Sequence, residues 1–135
     1  MSVRNLNQGF YSTSIVDNIT INIHSTDGLL ANYYKSQAFK SNELISLQIP
    51  SYSHTFTDTG HVQAGLSSQL TLPSSSSVYS FPVIISINGT PTVVLLTLTL
   101  STGAINIFAD LNGSDFTSGQ VVSWTNPISI TYILI

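Results

Sequence analysis

Two of the three histidines in this 135-residue chain fall in one polar stretch, Ser51-Tyr-Ser-His-Thr-Phe-Thr-Asp-Thr-Gly-His61. Imidazole and carboxylate suit zinc or nickel, so His54, Asp58 and His61 would be the donors if the stretch held a metal. Their spacing matches no metal motif, and a metal-free loop is expected. The same stretch offers Tyr52, His54, Asp58 and His61 to a sugar or a protein receptor. Tyrosine and histidine combine a stacking face with a hydrogen-bonding tip. A second candidate is Tyr33-Tyr34, which with Lys35 and Lys40 forms a basic aromatic patch suited to an anionic sugar. Both groups also read as ordinary loop and strand-edge residues.

Catalytic signatures are missing. The chain contains no G-x-S-x-G elbow, no phosphate-cradling glycine loop with lysine, and no H-E-x-x-H. Glycoside hydrolysis needs two positioned carboxylates. Glu43 is the single glutamate, and Asp17, Asp27, Asp58, Asp110 and Asp115 stand in turn-like contexts. Aspartate there normally bonds its own backbone. Asp110-Leu-Asn112-Gly-Ser114-Asp115 begins like a calcium loop, but it lacks glycine at the sixth position and has Val121 where the bidentate glutamate belongs. A solvated turn is expected there. Trp124 is read as core or interface rather than as a sugar platform. The expectation is a binding protein with no cofactor and no enzymatic activity.

The elements that would position these residues follow from composition. Only 7% of the chain is charged, and residues 41–135 contain no lysine or arginine. About 25% would be ordinary for a soluble domain. Serine and threonine number 22 and 15, and isoleucine, leucine and valine together 38. So much apolar content argues against disorder. The lack of a basic footprint argues against nucleic acid. The most apolar stretch, Phe81 to Leu100, is interrupted by Pro82, Asn88, Gly89 and Pro91. Its unbroken part is far shorter than the roughly 20 residues of a spanning helix, so no membrane insertion is expected. The first ten residues carry no continuous apolar core, and no signal peptide is expected.

Period-two alternation recurs along the chain. Ile19, Ile21 and Ile23 alternate with polar residues; so do Ile45, Leu47 and Ile49, and so do Ile128, Ile130 and Tyr132. Val94, Leu96, Leu98 and Leu100 share one face. Only Gly28 to Leu47 is ambiguous between helix and strand. Asn88-Gly89 between two apolar runs predicts a type I′ hairpin, and Thr102-Gly103 predicts the next turn. Together these give an all-β fold: an antiparallel β-sandwich of jelly-roll type with about eight strands. The expected division is an N-terminal extension over 1–17 and one head domain over 18–135. Ile133 and Ile135 make the second face of the terminal strand apolar as well. That strand should therefore be central, or buried against another subunit.

From Leu70 onward several features occur together: Pro73-Ser74, Phe81-Pro82, Asn88-Gly89, Thr102 to Ile107, Gly113 to Gly119, and Ser129 to Ile133. In this combination the C-terminal half resembles the receptor-binding head of phage tail-fibre and related viral attachment proteins. The resemblance implies a homotrimer on the virion surface, made in the host cytoplasm. It further implies non-covalent attachment to a host surface molecule, a glycan or a protein, beside other virion proteins. A structural virion module without a receptor of its own is the alternative. A long fibre shaft, usual in such proteins, has no counterpart in these residues. The scarcity of charge agrees with shared apolar subunit contacts, because obligate interfaces are more apolar than ordinary surface.

Overall fold

A computed structural model describes residues 13–28, 32–41, 43–65 and 77–133. Pro73-Ser74, Arg4 and the last two residues lie outside these. Among the described residues there are ten strands and no helix. None of them therefore forms a helix long and apolar enough to cross a membrane. The strands are β1 (Thr13–Ser25), β2 (Asn32–Ser41), β3 (Leu44–Ile49), β4 (Tyr52–Thr55), β5 (Val62–Gly65), β6 (Val78–Ile87), β7 (Thr90–Thr99), β8 (Ala104–Ile107), β9 (Val121–Trp124) and β10 (Ile128–Ile133).

The all-β antiparallel expectation holds, with two strands more than expected. The ambiguous Gly28–Leu47 stretch supplies β2 and the start of β3, because its pairing partners on β1 override its weak local signal. Short strands β4 and β5 emerge from the polar Ser51–His61 region and its flank. The expected boundary between residues 17 and 18 falls inside β1.

All strands belong to one sheet in the order β10-β3-β2-β1-β5-β8-β7-β6-β9-β4. Alternate residues of nearly every strand enter a single core, from Ile19, Ile21 and Ile23 on β1 to Leu96 and Leu98 on β7 and Ile130 and Tyr132 on β10. One sheet with one core must curl on itself. The connections require the same thing. β3 and β4 lie near opposite ends of the sheet yet are joined only by Pro50-Ser51, and β9 and β10 are joined only by Thr125 to Pro127. The two ends must therefore abut, which gives a nearly closed, barrel-like sandwich.

The terminal strand β10 is not central. It pairs with β3 alone and forms one end of the sheet. Its pattern alternates cleanly, with Ile128, Ile130 and Tyr132 buried and Ile133 38% exposed beside its exposed cross-strand partner Leu44.

The Asn88-Gly89 hairpin forms as expected, with φ of 52° and 81° at its two central residues. A two-residue loop makes Ile87–Thr90 a hydrogen-bonded pair, so hydrogen-bonded and open pairs alternate back along the ladder. Pro91 (opposite Ser86) and Pro82 (opposite Leu95) both fall at open pairs. Their missing N–H groups therefore cost no bond between these strands. Leu95 confirms the phase, since its N–H donates to the Asp110 carbonyl and its own carbonyl accepts from Phe108, on the side away from β6.

Two glycines should fail for different reasons when replaced by alanine. At Gly89 (φ +81°) the added Cβ would meet nothing within 4 Å, so Gly89→Ala should cost about 1 kcal/mol through backbone strain alone. At Gly60 the Cβ would collide with Thr26 Oγ1 and come within 3.2 Å of the Asp27 nitrogen. Gly60→Ala should cost more, about 2–3 kcal/mol. Urea unfolding of the two variants should rank them in that order.

A second expectation concerns alkaline pH. Burial pushes the Tyr132 hydroxyl up from 10.0 to about 12. Its folded value exceeds its unfolded one, so its contribution is complete below 10.0 and is lost as pH rises toward about 12. Tyr132→Phe should flatten that limb of a melting-temperature profile.

Candidate functional site

The Ser51–His61 region is held by its own polar bonds rather than left as a free loop. Phe56 N donates to the Gln120 carbonyl at 2.9 Å and Gly119 N donates back to Phe56 at 2.8 Å. Gly60 and Phe116 exchange backbone bonds at 3.1 and 2.7 Å. The rings of Phe56 and Phe116 stack beneath at 4.9 Å. The β4–β5 loop is thus zipped onto the segment before β9.

Within that frame the expected residues part company. Tyr52 is a core residue, 7% exposed. Its hydroxyl shares a 2.9 Å hydrogen bond with the buried Ser25 hydroxyl, and its ring lies 5.4 Å from that of Trp124. Asp58 is exposed and accepts from the neighbouring Thr59 N–H at 2.8 Å, an ordinary turn contact. His54 turns away from it and meets Asp27 instead, Nε2 to Oδ1 at 2.8 Å. His61 joins a different set: Nδ1 is 3.3 Å from Asp115 Oδ1, and Nε2 is 3.1 Å from Asn106 Oδ1 and 3.3 Å from the Gln63 amide nitrogen. Gln63 Oε1 in turn meets His24 Nε2 at 2.9 Å. His54, Asp58 and His61 therefore face three different partners. Tyr33 and Tyr34 lie on β2 opposite Asn22 and Ile21.

Asp27 was not singled out by sequence. Its carboxylate, fully shielded, accepts from Thr57 N at 2.7 Å, from Thr57 Oγ1 at 3.2 Å and from His54. Burial alone would raise its pKa, but the bonds from Thr57 and His54 outweigh it and hold the group below its ordinary value. The chemistry is that of a clamp tying the β1–β2 turn to the β4–β5 loop. Asp110 closes the turn anticipated for it, accepting from Ser114 N at 3.1 Å and Asn112 N at 2.9 Å. Those bonds, with Ser114 the larger influence, lower its pKa too.

A groove among the described residues lies elsewhere. β9 pairs with β6 only at Ser86–Ser123 and Ile87–Val122, then follows β4, with Trp124 opposite Tyr52. The fork leaves an open groove of about 300 Å³ between Ile84, Ile85, Ser86 and Pro91 on one side and Ser123 to Asn126 on the other. Ile85 and Trp124 are buried and form its floor. The Trp124 indole N–H is engaged by the Pro50 carbonyl at 2.7 Å.

No family model matches the chain. By sequence it is similar to structural protein V8 of Sputnik virophage, 36% identical over 100 residues. The match covers 70% of this chain and 53% of that protein, so the chain spans about half the length of the curated relative it matches. Among solved structures it is similar to the reovirus attachment protein sigma1, determined in complex with alpha-2,3-sialyllactose. The TM-score is 0.49 and the identity 17%, over 95% of this chain and 68% of that one. The sequence resemblance is thus to a virion structural protein, and not to phage tail fibres in particular.

The Asp27 clamp should appear as acid lability. Its folded pKa lies below the unfolded value of 3.8, so its stabilisation is complete above 3.8 and is lost as pH falls through the folded value. Asp27→Asn should cost about 1–3 kcal/mol at neutral pH, where a buried charge-assisted set of bonds is weakened. It should also lower the pH dependence of the melting temperature in strong acid. An unchanged acid limb in the variant would dismiss the clamp.

Proposed function

We propose that this chain is a virion-surface module that assembles as a homotrimer and attaches to a host surface molecule by non-covalent binding, without catalysis or cofactor. The observation that carries the viral part of this reading is the 36% identity to a virophage structural protein. Assembly is supported by apolar side chains left outside the core in cross-strand pairs. One is Leu44 (46% exposed), which faces Ile133 (38%) at the β10 end. Such pairs are better covered than hydrated, and with charge so sparse across the chain, little repulsion opposes a second copy.

A receptor-free structural role is the second reading, and the description of the virophage relative as a structural protein favours it. Two measurements separate the possibilities. In solution the protein should run near three times its 14.5 kDa chain mass; a monomer would remove the trimer. Labelled protein should bind host cells saturably, and this binding should be competed by intact virions. Binding to virion components alone would replace attachment with the structural role.

A further inference from the structure

The geometry points to the β6/β9 groove as a site for an uncharged sugar unit. This assigns a ligand class and a place to the attachment reading and rests on it.

The argument begins with the ladder. Asn88 N donates to the Val121 carbonyl at 2.8 Å, so hydrogen-bonded positions between β6 and β9 recur every second residue from there. Ser86–Ser123 is the next such pair. The one after it would be Ile84 with Thr125, but β9 has already left with β4, and that rung is not made. The N–H and C=O of Ile84 therefore point into the groove from one side, with the backbone of Thr125 across from them.

The side chains around this rung are also unengaged. Among the described residues, the hydroxyls of Ser86, Ser123 and Thr125 and the amide of Asn126 make no hydrogen bond to the protein. These groups are open to water, so a polyol can displace that water and take up their donors and acceptors without breaking any protein bond. The remaining surface is apolar: Ile84, Pro91, and the flanks of Ile85 and Trp124. A pyranose matches this division, with C–H groups for the apolar wall and hydroxyls for the rung. About 300 Å³ is room for one sugar unit rather than a chain.

Charge selects among sugars. No lining residue is ionisable. Lys35 and Lys40 stand on β2, with β1, β5, β8 and β7 between them and β6. A sialic acid carboxylate would find no cation here to pair with, so it would gain no ion pair over a neutral sugar. The ligand is therefore a neutral hexose or N-acetylhexosamine.

The single tryptophan of the chain makes the test direct, because its indole N–H gives one resonance at the groove floor. Galactose, mannose, glucose, N-acetylglucosamine and N-acetylneuraminic acid would be titrated into the intact protein while that resonance is followed. At least one neutral sugar should shift it saturably, and N-acetylneuraminic acid should not. Asn126→Ala and Thr125→Ala, both exposed and free of protein hydrogen bonds, should leave the melting temperature unchanged. Each should weaken the sugar about five- to tenfold, the equivalent of one hydrogen bond. No response to any neutral sugar, or a preference for the acidic one, overturns the site. Host-cell binding that survives both variants also overturns it while leaving attachment intact. A sugar response without any cell binding keeps the site and removes attachment.

Discussion

The fold depends on the closing of one sheet along a seam. One bond across it runs from the Trp124 indole to the Pro50 carbonyl, at 2.7 Å. β3 and β4 are separated by two residues in sequence and by most of the sheet in pairing order, and β9 and β10 are related in the same way. Two short connections thus cross the same seam. Trp124 stands just before one and Pro50 at the start of the other, so a single side chain pins both. Its ring fills the core against Tyr52, and its one polar group satisfies a carbonyl that the corner at Pro50 takes out of the ladder. Packing and hydrogen bonding are met by the same residue.

With few charges available, the chain fixes its loops by buried or half-buried polar contacts. Asp27 reaches across 30 residues to Thr57, and Ser25 reaches Tyr52. His61 sits between Asp115, Asn106 and Gln63. These bonds hold the β4–β5 loop against the segment before β9, which sets where β9 begins and hence where it parts from β6.

The strands were the most legible part of the sequence because alternation is a local signal. Ile19 to Ile23, Val94 to Leu100 and the Asn88-Gly89 turn appear where their own spacing puts them. β2 was not legible, since its identity comes from pairing with β1 and β3 rather than from its own pattern. The alternation of β10 leaves a central place and a subunit contact both open, and the fold excludes only the first. Two apolar faces suggest burial on both sides, yet Ile133 is exposed, and nothing local tells a sheet end from its middle. In the polar stretch, residue type identified groups able to bond but not their partners. His54 chose Asp27, far away in sequence, over Asp58 close by.

The groove was illegible because it consists of an interruption. Each of its residues reads as an ordinary strand or turn residue, and Trp124 reads as core, which it is. What makes a site is that β9 must serve two neighbours: it pairs with β6 for two residues and with β4 for four. Val122 and Ser123 are paired on both edges, and beyond Ser123 only the β4 edge continues, to Tyr52–Trp124. Pro127 adds a local restriction, since the residue before a proline is held in extended geometry and its own missing N–H ends any ladder there. Extending the β6–β9 ladder by one rung would join Ile84 to Thr125 and close the groove. The groove therefore begins where β9 keeps its β4 neighbour and loses β6, one residue before the tryptophan that pins the seam.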